Sequence, residues 1–149
     1  PSSLALGGFW RQFCHFSTIF YAVVDTENSM ISYASAGSPP ILIGGNDGTL
    51  NKFYDTAGLP AGILDSAEYE LATVPFPHGS QLIVYSDALI ETESIDGELM
   101  DDELLLSVAD EVLELVDSKE KVSKILNAFP ANDLDPLPDD LTLICLTHI

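Results

Sequence analysis

The order of strand-like and helix-like segments is the feature that most constrains the fold of this chain. Segments rich in β-branched and aromatic residues come first and are separated by short turns that contain Gly, Pro or Asn. The predicted strands are 16–25, 30–36, 41–43, 50–54, 68–74 and 81–85, with a last strand at 141–147. Strands joined by hairpins and followed by helices indicate an α+β domain with a mainly antiparallel sheet.

Two amphipathic helices are predicted between strands 81–85 and 141–147. Apolar residues of 101–116 recur at helical spacing with acids between them. A second helix is predicted to begin at the N-cap Ser118 and to end at Pro130. These helices would cover one face of the sheet. An antiparallel sheet of this size also needs cover on its other face, and the sequence offers little further material for that layer.

Length and charge narrow the classes of function. The chain of 149 residues fits a single domain, and no apolar run reaches the roughly 18 residues that a membrane helix needs. Five Lys and Arg residues stand against 24 Asp and Glu residues, giving a formal net charge of −19. Such a surface repels nucleic acid phosphates and anionic membranes but attracts divalent cations or a basic protein surface. We therefore expect no nucleic acid partner and no membrane partner, and interpret most of the acids as solubilising.

Two acidic positions differ from the rest because each lies at the end of an apolar strand. Asp87 follows strand 81–85, and the pair Asp139-Asp140 precedes strand 141–147. If the two ends are neighbours, their carboxylates can hold a hard cation such as Mg²⁺ or Mn²⁺. Two simpler interpretations stay open. Asp87 can cap a short helix beginning at Ala88, and Asp139-Asp140 can form an ordinary turn.

The chain also contains, in this order, the segments FSTIFYAVVD (16–25), ISYASAGSPP (31–40), GLPAG (58–62), HGSQLIVYSDALIE (78–91) and DDLTL (139–143). They resemble the motifs F-x-T-x-x-Y-x-x-x-D, L-x-Y-x-N-A-G-H-P-P, G-x-P-L-G, G-D-x-L-x-L-Y-T-D-G-L-x-E and D-D-x-T-L of one enzyme family. That family is the PPM-type (type 2C) protein serine/threonine phosphatases, in their bacterial SpoIIE/RsbU branch. The resemblance implies an α/β/β/α sandwich with central antiparallel sheets flanked by helices.

The resemblance also implies a reaction. By the motif match Asp87 and Asp139 would be catalytic metal ligands, with Asp140 beside them in the metal site. Two Mn²⁺ or Mg²⁺ ions would acidify a water that attacks a phosphoserine or phosphothreonine in line. The substrate would be a phosphorylated regulatory protein of the anti-sigma-factor antagonist type, in the bacterial cytoplasm. An upstream receiver or sensor domain, as in response regulators, is a further implied partner.

Several positions depart from the family pattern. The common Asn, His, Asp and Gly are replaced by Ser35, Ser38, Ser80 and Ala88. The family's D-x-x-G-H-G segment, which carries a bridging Asp, is absent. Leu6–Trp10 resembles the first strand of the domain, with Gly8 where a ligating Asp is expected. These departures favour an alternative function, a catalytically degenerate domain that acts as a protein-binding adaptor.

The spacing near the N-terminus is short for this family. Only residues 11–15 separate the apparent first strand from Phe16, where the family has two strands, a metal motif and two long helices. We therefore interpret residues 1–149 as a single phosphatase domain that is incomplete between Phe13 and Cys14. One helical layer would then be missing, in keeping with the shortage of covering material.

Overall fold

A computed structural model of the protein describes residues 16–53 and 57–149. The described part contains eight strands and three helices. The strands are β1 (Ile19–Asp25), β2 (Met30–Ala36), β3 (Ile41–Gly44), β4 (Leu50–Phe53), β5 (Ala57–Gly58), β6 (Ala72–Pro75), β7 (Gln81–Tyr85) and β8 (Leu143–Thr147). The helices are α1 (Ala88–Glu91), α2 (Asp102–Leu113) and α3 (Ser118–Ala128).

The strands form two four-stranded sheets. In the first sheet β1 pairs antiparallel with β2, and the other edge of β2 pairs antiparallel with β6 and parallel with β5. The second sheet has the order β4-β3-β7-β8, with every neighbouring pair antiparallel. The prediction of mainly antiparallel sheet structure is confirmed, and the two-residue strand β5 is the exception.

The second sheet lies between the helices and the first sheet. The buried residues of α2 recur at helical spacing and pack with α3 on one face of this sheet, in a cluster that includes Leu105, Val108, Ala109, Val112, Ile125, Leu42, Ile83 and Tyr85. The other face packs on the first sheet through Ile41, Ile43, Leu82, Ile31, Tyr33 and Phe76. After Gln81, strand β7 is apolar, as expected for a strand whose two faces are both covered.

The helix ends differ slightly from the prediction. Asp117, not Ser118, caps α3, because its carboxylate accepts hydrogen bonds from the amides of Lys119 at 2.8 Å and Glu120 at 3.0 Å. Helix α2 begins at Asp102 and ends at Leu113, three residues before the predicted end at Val116. None of the described helices is long and apolar enough to cross a membrane.

The strand ends also differ. Strand β1 starts at Ile19 instead of Phe16, because Ser17 forms an isolated bridge with Ala61. Ala61 and β5 lie in the segment 57–62, which was predicted as loop. Of the predicted strand 68–74, only the part from Ala72 onward pairs, with β2. The last strand begins at Leu143 instead of Leu141. Tyr54, predicted to end the fourth strand, lies outside the described residues.

The outer face of the first sheet is exposed within the described part of the chain. Along β1, Ile19, Tyr21 and Val23 are 50%, 65% and 50% exposed, while the residues between them pack inward on the second sheet. An apolar sheet face of this kind is normally covered. The missing layer stays a prediction. The predicted first strand at 6–10 with Gly8, and the junction between Phe13 and Cys14, lie outside the described residues.

Lys121 is a cation buried beneath α3. Its side chain is among the largest that are fully buried, and its Nζ donates a hydrogen bond to Thr147 Oγ1 at 2.9 Å. Burial lowers the pKa of Lys121 from its ordinary value of 10.5, because desolvation disfavours the charged ammonium. The unfolded chain therefore binds a proton more tightly at this position than the folded protein does.

We expect Lys121→Met to be within about 1 kcal/mol of the wild type at pH 7, or more stable, because Met fills the site without a buried charge. The wild type should gain stability relative to this variant as pH rises towards 10.5, since folding no longer requires a buried ammonium. Urea unfolding at pH 7 and pH 10 measures both effects. Lys119→Met, on the exposed side of α3, is the matched control and should show no such change. The prediction would be contradicted if the difference in unfolding free energy between the wild type and Lys121→Met were the same at pH 7 and at pH 10.

Candidate functional site

Strands β7 and β8 bring the predicted acidic positions to one edge of the second sheet. The antiparallel register pairs Tyr85 with Leu143, so the chain leaves β7 where it enters β8. One step further, the amide of Ser86 donates to the carbonyl of Thr142 at 2.9 Å. Asp87 and the pair Asp139-Asp140 therefore lie on adjoining strand ends, although they are far apart in sequence. This is the placement that the sequence analysis required of them.

Asp87 caps the short helix α1. Its Oδ1 accepts a hydrogen bond from the amide of Ala88 at 3.1 Å, and its carbonyl accepts from the amides of Ile90 and Glu91, each at 2.9 Å. The helix-cap interpretation of Asp87 is thus confirmed. It does not exclude a ligand role, because the cap engages Oδ1 and no hydrogen bond to Oδ2 is formed within the described residues.

Asp139 and Asp140 form an exposed turn before β8. Asp139 Oδ1 accepts a hydrogen bond from the amide of Asp140 at 2.8 Å, which fixes the carboxylate of the first residue against the backbone of the second. The chain bends at Asp139, which is in keeping with the turn interpretation of this pair. Both side chains reach solvent, so their remaining oxygen atoms are open to a cation.

A cleft of about 420 Å³ separates α1 from the turn at Asp139. Its lining residues are Ala88, Glu91, Thr92, Glu93, Pro138 and Asp139. Three of these six carry carboxylates, so the cleft favours cations and disfavours anions. Sequence analysis identified Asp139 but not Glu91 and Glu93, because neither of those two acids lies at the end of a predicted strand.

Ala88 stands where the family commonly has Gly. It is the first residue of α1, it is 3% exposed, and its backbone is helical. A helical backbone does not require Gly, and the Cβ is accommodated in the core beside Leu89. Alanine at this position therefore requires no unusual backbone conformation beside Asp87.

The donor atoms at this edge of the sheet fit a hard divalent cation in part. Carboxylate oxygens are the ligands that Mg²⁺ and Mn²⁺ prefer, and such ions keep several waters when few protein ligands are present. Within residues 16–53 and 57–149, however, no three His, Cys, Asp or Glu side chains are grouped so that they could hold a metal ion. The described residues thus supply part of a ligand set, and the two-ion centre stays a prediction.

Ser86 has a role here that sequence reasoning missed. Its hydroxyl donates to the carbonyl of Asp140 at 3.1 Å and accepts from the amide of Thr142 at 2.9 Å. Its position between an apolar strand and Asp87 was visible in the sequence. The residues that it bonds to become apparent only once β7 and β8 are paired.

Comparison with known proteins agrees with the motif resemblance. Residues 4–149 match the family model described as Stage II sporulation protein E (SpoIIE). Phosphoserine phosphatase RsbU of Bacillus subtilis (strain 168) is 28% identical over 133 residues, which make up 88% of this chain and 38% of RsbU.

Solved structures show the same fold at low sequence identity. The phosphatase domain of SpoIIE from Bacillus subtilis, presoaked with Mn, has a TM-score of 0.65 at 18% identity, covering 88% of this chain and 56% of that one. The SiaA-PP2C domain of Pseudomonas aeruginosa has a TM-score of 0.69 at 15% identity, covering 87% of this chain and 51% of that one. The present chain spans only about half the length of these domains.

The structural matches confirm the expected PPM-phosphatase fold, of which the described residues form the two sheets and one helical layer. The family match extends over nearly the whole sequence. The chain therefore belongs to the SpoIIE family of PPM-type phosphatase domains, in its SpoIIE/RsbU branch.

Proposed function

We propose that this protein is a metal-dependent protein serine/threonine phosphatase in which Asp87 and Asp139 bind divalent cations, with Asp140 beside them. The observation that carries the proposal is the pairing of β7 with β8, which joins the two acidic strand ends. Membership of a family whose relatives include a phosphoserine phosphatase and PP2C domains supports the activity. We propose two Mn²⁺ or Mg²⁺ ions as cofactors.

Charge explains why such a site depends on metal. A phosphorylated serine or threonine carries a charge of about −1.5 to −2 at pH 7. The cleft at Asp139 is lined by carboxylates on a chain of net charge −19, so it repels a phosphoryl group by itself. Bound divalent cations would supply the compensating charge and an acidified water. Asp87 and Asp139 would hold those cations from rigid strand ends.

The substrate that we propose is a phosphorylated regulatory protein of the anti-sigma-factor antagonist type in the bacterial cytoplasm. The RsbU relative is named a phosphoserine phosphatase, which supports phosphoserine as the target group. The strongly acidic surface suits a partner with a basic docking surface. We further propose an upstream receiver or sensor domain that controls the activity.

We also propose that the native domain contains a further helical layer, inserted between Phe13 and Cys14. The exposed side chains of Ile19, Tyr21 and Val23 support this proposal, since they form an apolar stripe on the outer face of the first sheet. The inserted segment would also bring the second metal motif. Both the missing ligands and the missing cover would then have a single cause.

The activity is tested with p-nitrophenyl phosphate and a phosphoserine peptide in the presence and absence of Mn²⁺. We expect hydrolysis that requires Mn²⁺ and that Asp87→Asn lowers roughly a hundredfold or more, because metal assistance contributes several kcal/mol to such a step. Asp110→Asn, on the exposed face of α2, removes an acid far from the site in sequence and should leave the rate unchanged.

Two outcomes would contradict the proposed activity. Hydrolysis by the wild type that equals hydrolysis by Asp87→Asn would show that another site or a contaminant acts. Absence of both hydrolysis and Mn²⁺ binding in the complete native protein would leave the adaptor function, in which the domain binds a partner without catalysis.

The completeness of the domain is tested on the native protein by peptide sequencing in a mass spectrometer. We expect no peptide that joins Phe13 directly to Cys14. Instead, the peptides that contain these residues should continue into an inserted segment carrying an Asp and a Gly-His-Gly sequence. A peptide running from Gln12 to His15 without interruption would show that the short junction is native.

A further inference from the structure

The hydrogen bonding at Ser86 shows how the chain changes from β7 to α1. In a regular ladder the carbonyl of Ser86 would accept the amide of Thr142. Here that carbonyl instead accepts the amide of Leu89, at 3.1 Å, in the first turn of the helix. The hydroxyl of Ser86 takes its place and accepts the amide of Thr142 at 2.9 Å. The side chain thus replaces a backbone acceptor, so that the chain turns while the ladder continues.

The same hydroxyl also fixes Asp140, two residues before Thr142. An amide can only donate, so the oxygen of Ser86 is the acceptor towards Thr142 and its proton is free for another partner. That proton is donated to the carbonyl of Asp140 at 3.1 Å. The amide of Ser86 also donates to the carbonyl of Thr142. Ser86 is therefore connected to the segment 140–142 by three hydrogen bonds.

These bonds connect the two carboxylates of the candidate site. Asp139 Oδ1 is bonded to the amide of Asp140, whose carbonyl is bonded to Ser86 Oγ. Ser86 is covalently joined to Asp87, whose carboxylate is fixed by the amide of Ala88. A continuous path of hydrogen bonds and covalent bonds therefore runs from one acid to the other through Ser86. In the described part of the protein, the two hydrogen bonds of the Ser86 hydroxyl are the only side-chain hydrogen bonds between the segments 86–88 and 139–142.

We infer that Ser86 is a positioning residue that sets the spacing of Asp87 and Asp139 for cation binding. The inference deepens the proposed phosphatase function and rests on it for its consequence. Ser86 itself binds neither metal nor phosphate. It acts by holding the turn at 139–140 against the start of α1, and groups that orient metal ligands in this way commonly change metal affinity ten- to a hundredfold when removed.

The test compares Ser86→Ala with Ser86→Thr in the full-length protein. Two quantities are measured: Mn²⁺ affinity by titration, and the hydrogen exchange rate of the Thr142 amide without metal. In Ser86→Ala we expect the affinity to fall roughly ten- to a hundredfold and the exchange to accelerate. Ser86→Thr keeps a hydroxyl and should restore both quantities. Since Thr142 is exposed, water can replace the lost bonds, and the alanine variant should still fold.

Ser94→Ala is the matched control. Ser94 Oγ accepts two amides, those of Asp96 at 3.3 Å and Glu98 at 3.0 Å, in a loop after α1. Its removal costs a comparable pair of hydrogen bonds but should not change Mn²⁺ affinity. An equal loss of affinity in Ser94→Ala and Ser86→Ala would overturn the inference, because the effect would then be one of general stability.

Two further outcomes separate this inference from the proposed function. Ser86→Ala could accelerate exchange at Thr142 and still bind Mn²⁺ as tightly as the wild type. The hydrogen bonds of Ser86 would then exist without positioning the ligands, and the inference would fail. If the wild type binds no Mn²⁺, the proposed phosphatase function fails, and the positioning role fails with it. The exchange data then still report whether Ser86 joins the two strand ends.

Discussion

The antiparallel ladder between β7 and β8 is the interaction on which the rest of the structure depends. It joins chain segments that are at least 56 residues apart in sequence, and it places β7 inside the sheet. Because β7 contributes Leu82 to one core and Ile83 to the other, its register also fixes how both layers pack. A slip of one residue would exchange these two faces and separate Asp87 from the turn at Asp139.

The distribution of charge follows from how few cations the chain has. It has five Lys and Arg residues, and three of the lysines already have partners or are buried within the fold. Lys52 and Lys124 form ion pairs with Asp102 and Glu111, and Lys121 is buried beneath α3. Most acids are therefore left without a basic neighbour, and the surface as a whole attracts cations. A phosphatase with such a surface would depend on its metal ions to admit an anionic phosphoryl group.

Most strands and both long helices of the described chain could be predicted, because the spacing of apolar residues along a short segment indicates which element it forms and which face is buried. Their ends could not be predicted as well. Asp117 caps α3 in place of Ser118 because its carboxylate reaches two amides. The segment before Ala72 does not pair with β2, because β5 pairs with that edge of β2 at Ser35 and Ala36. The missing layer inferred from the sequence stays a prediction, for which the exposed apolar stripe along β1 is the structural motive.

The sequence by itself determined the family, through the order and spacing of its motifs, and it singled out Asp87 and Asp139-Asp140 as acids at strand ends. It left open whether each acid was a ligand, a cap or part of a turn. The tertiary structure decided that Asp87 is a cap and that the chain segments carrying the acids adjoin, and it revealed Ser86 as the link between those segments. The physical reason is distance along the chain. Periodicity and motifs act over a few residues, whereas the hydrogen bonds of Ser86 exist only after two distant strands have paired.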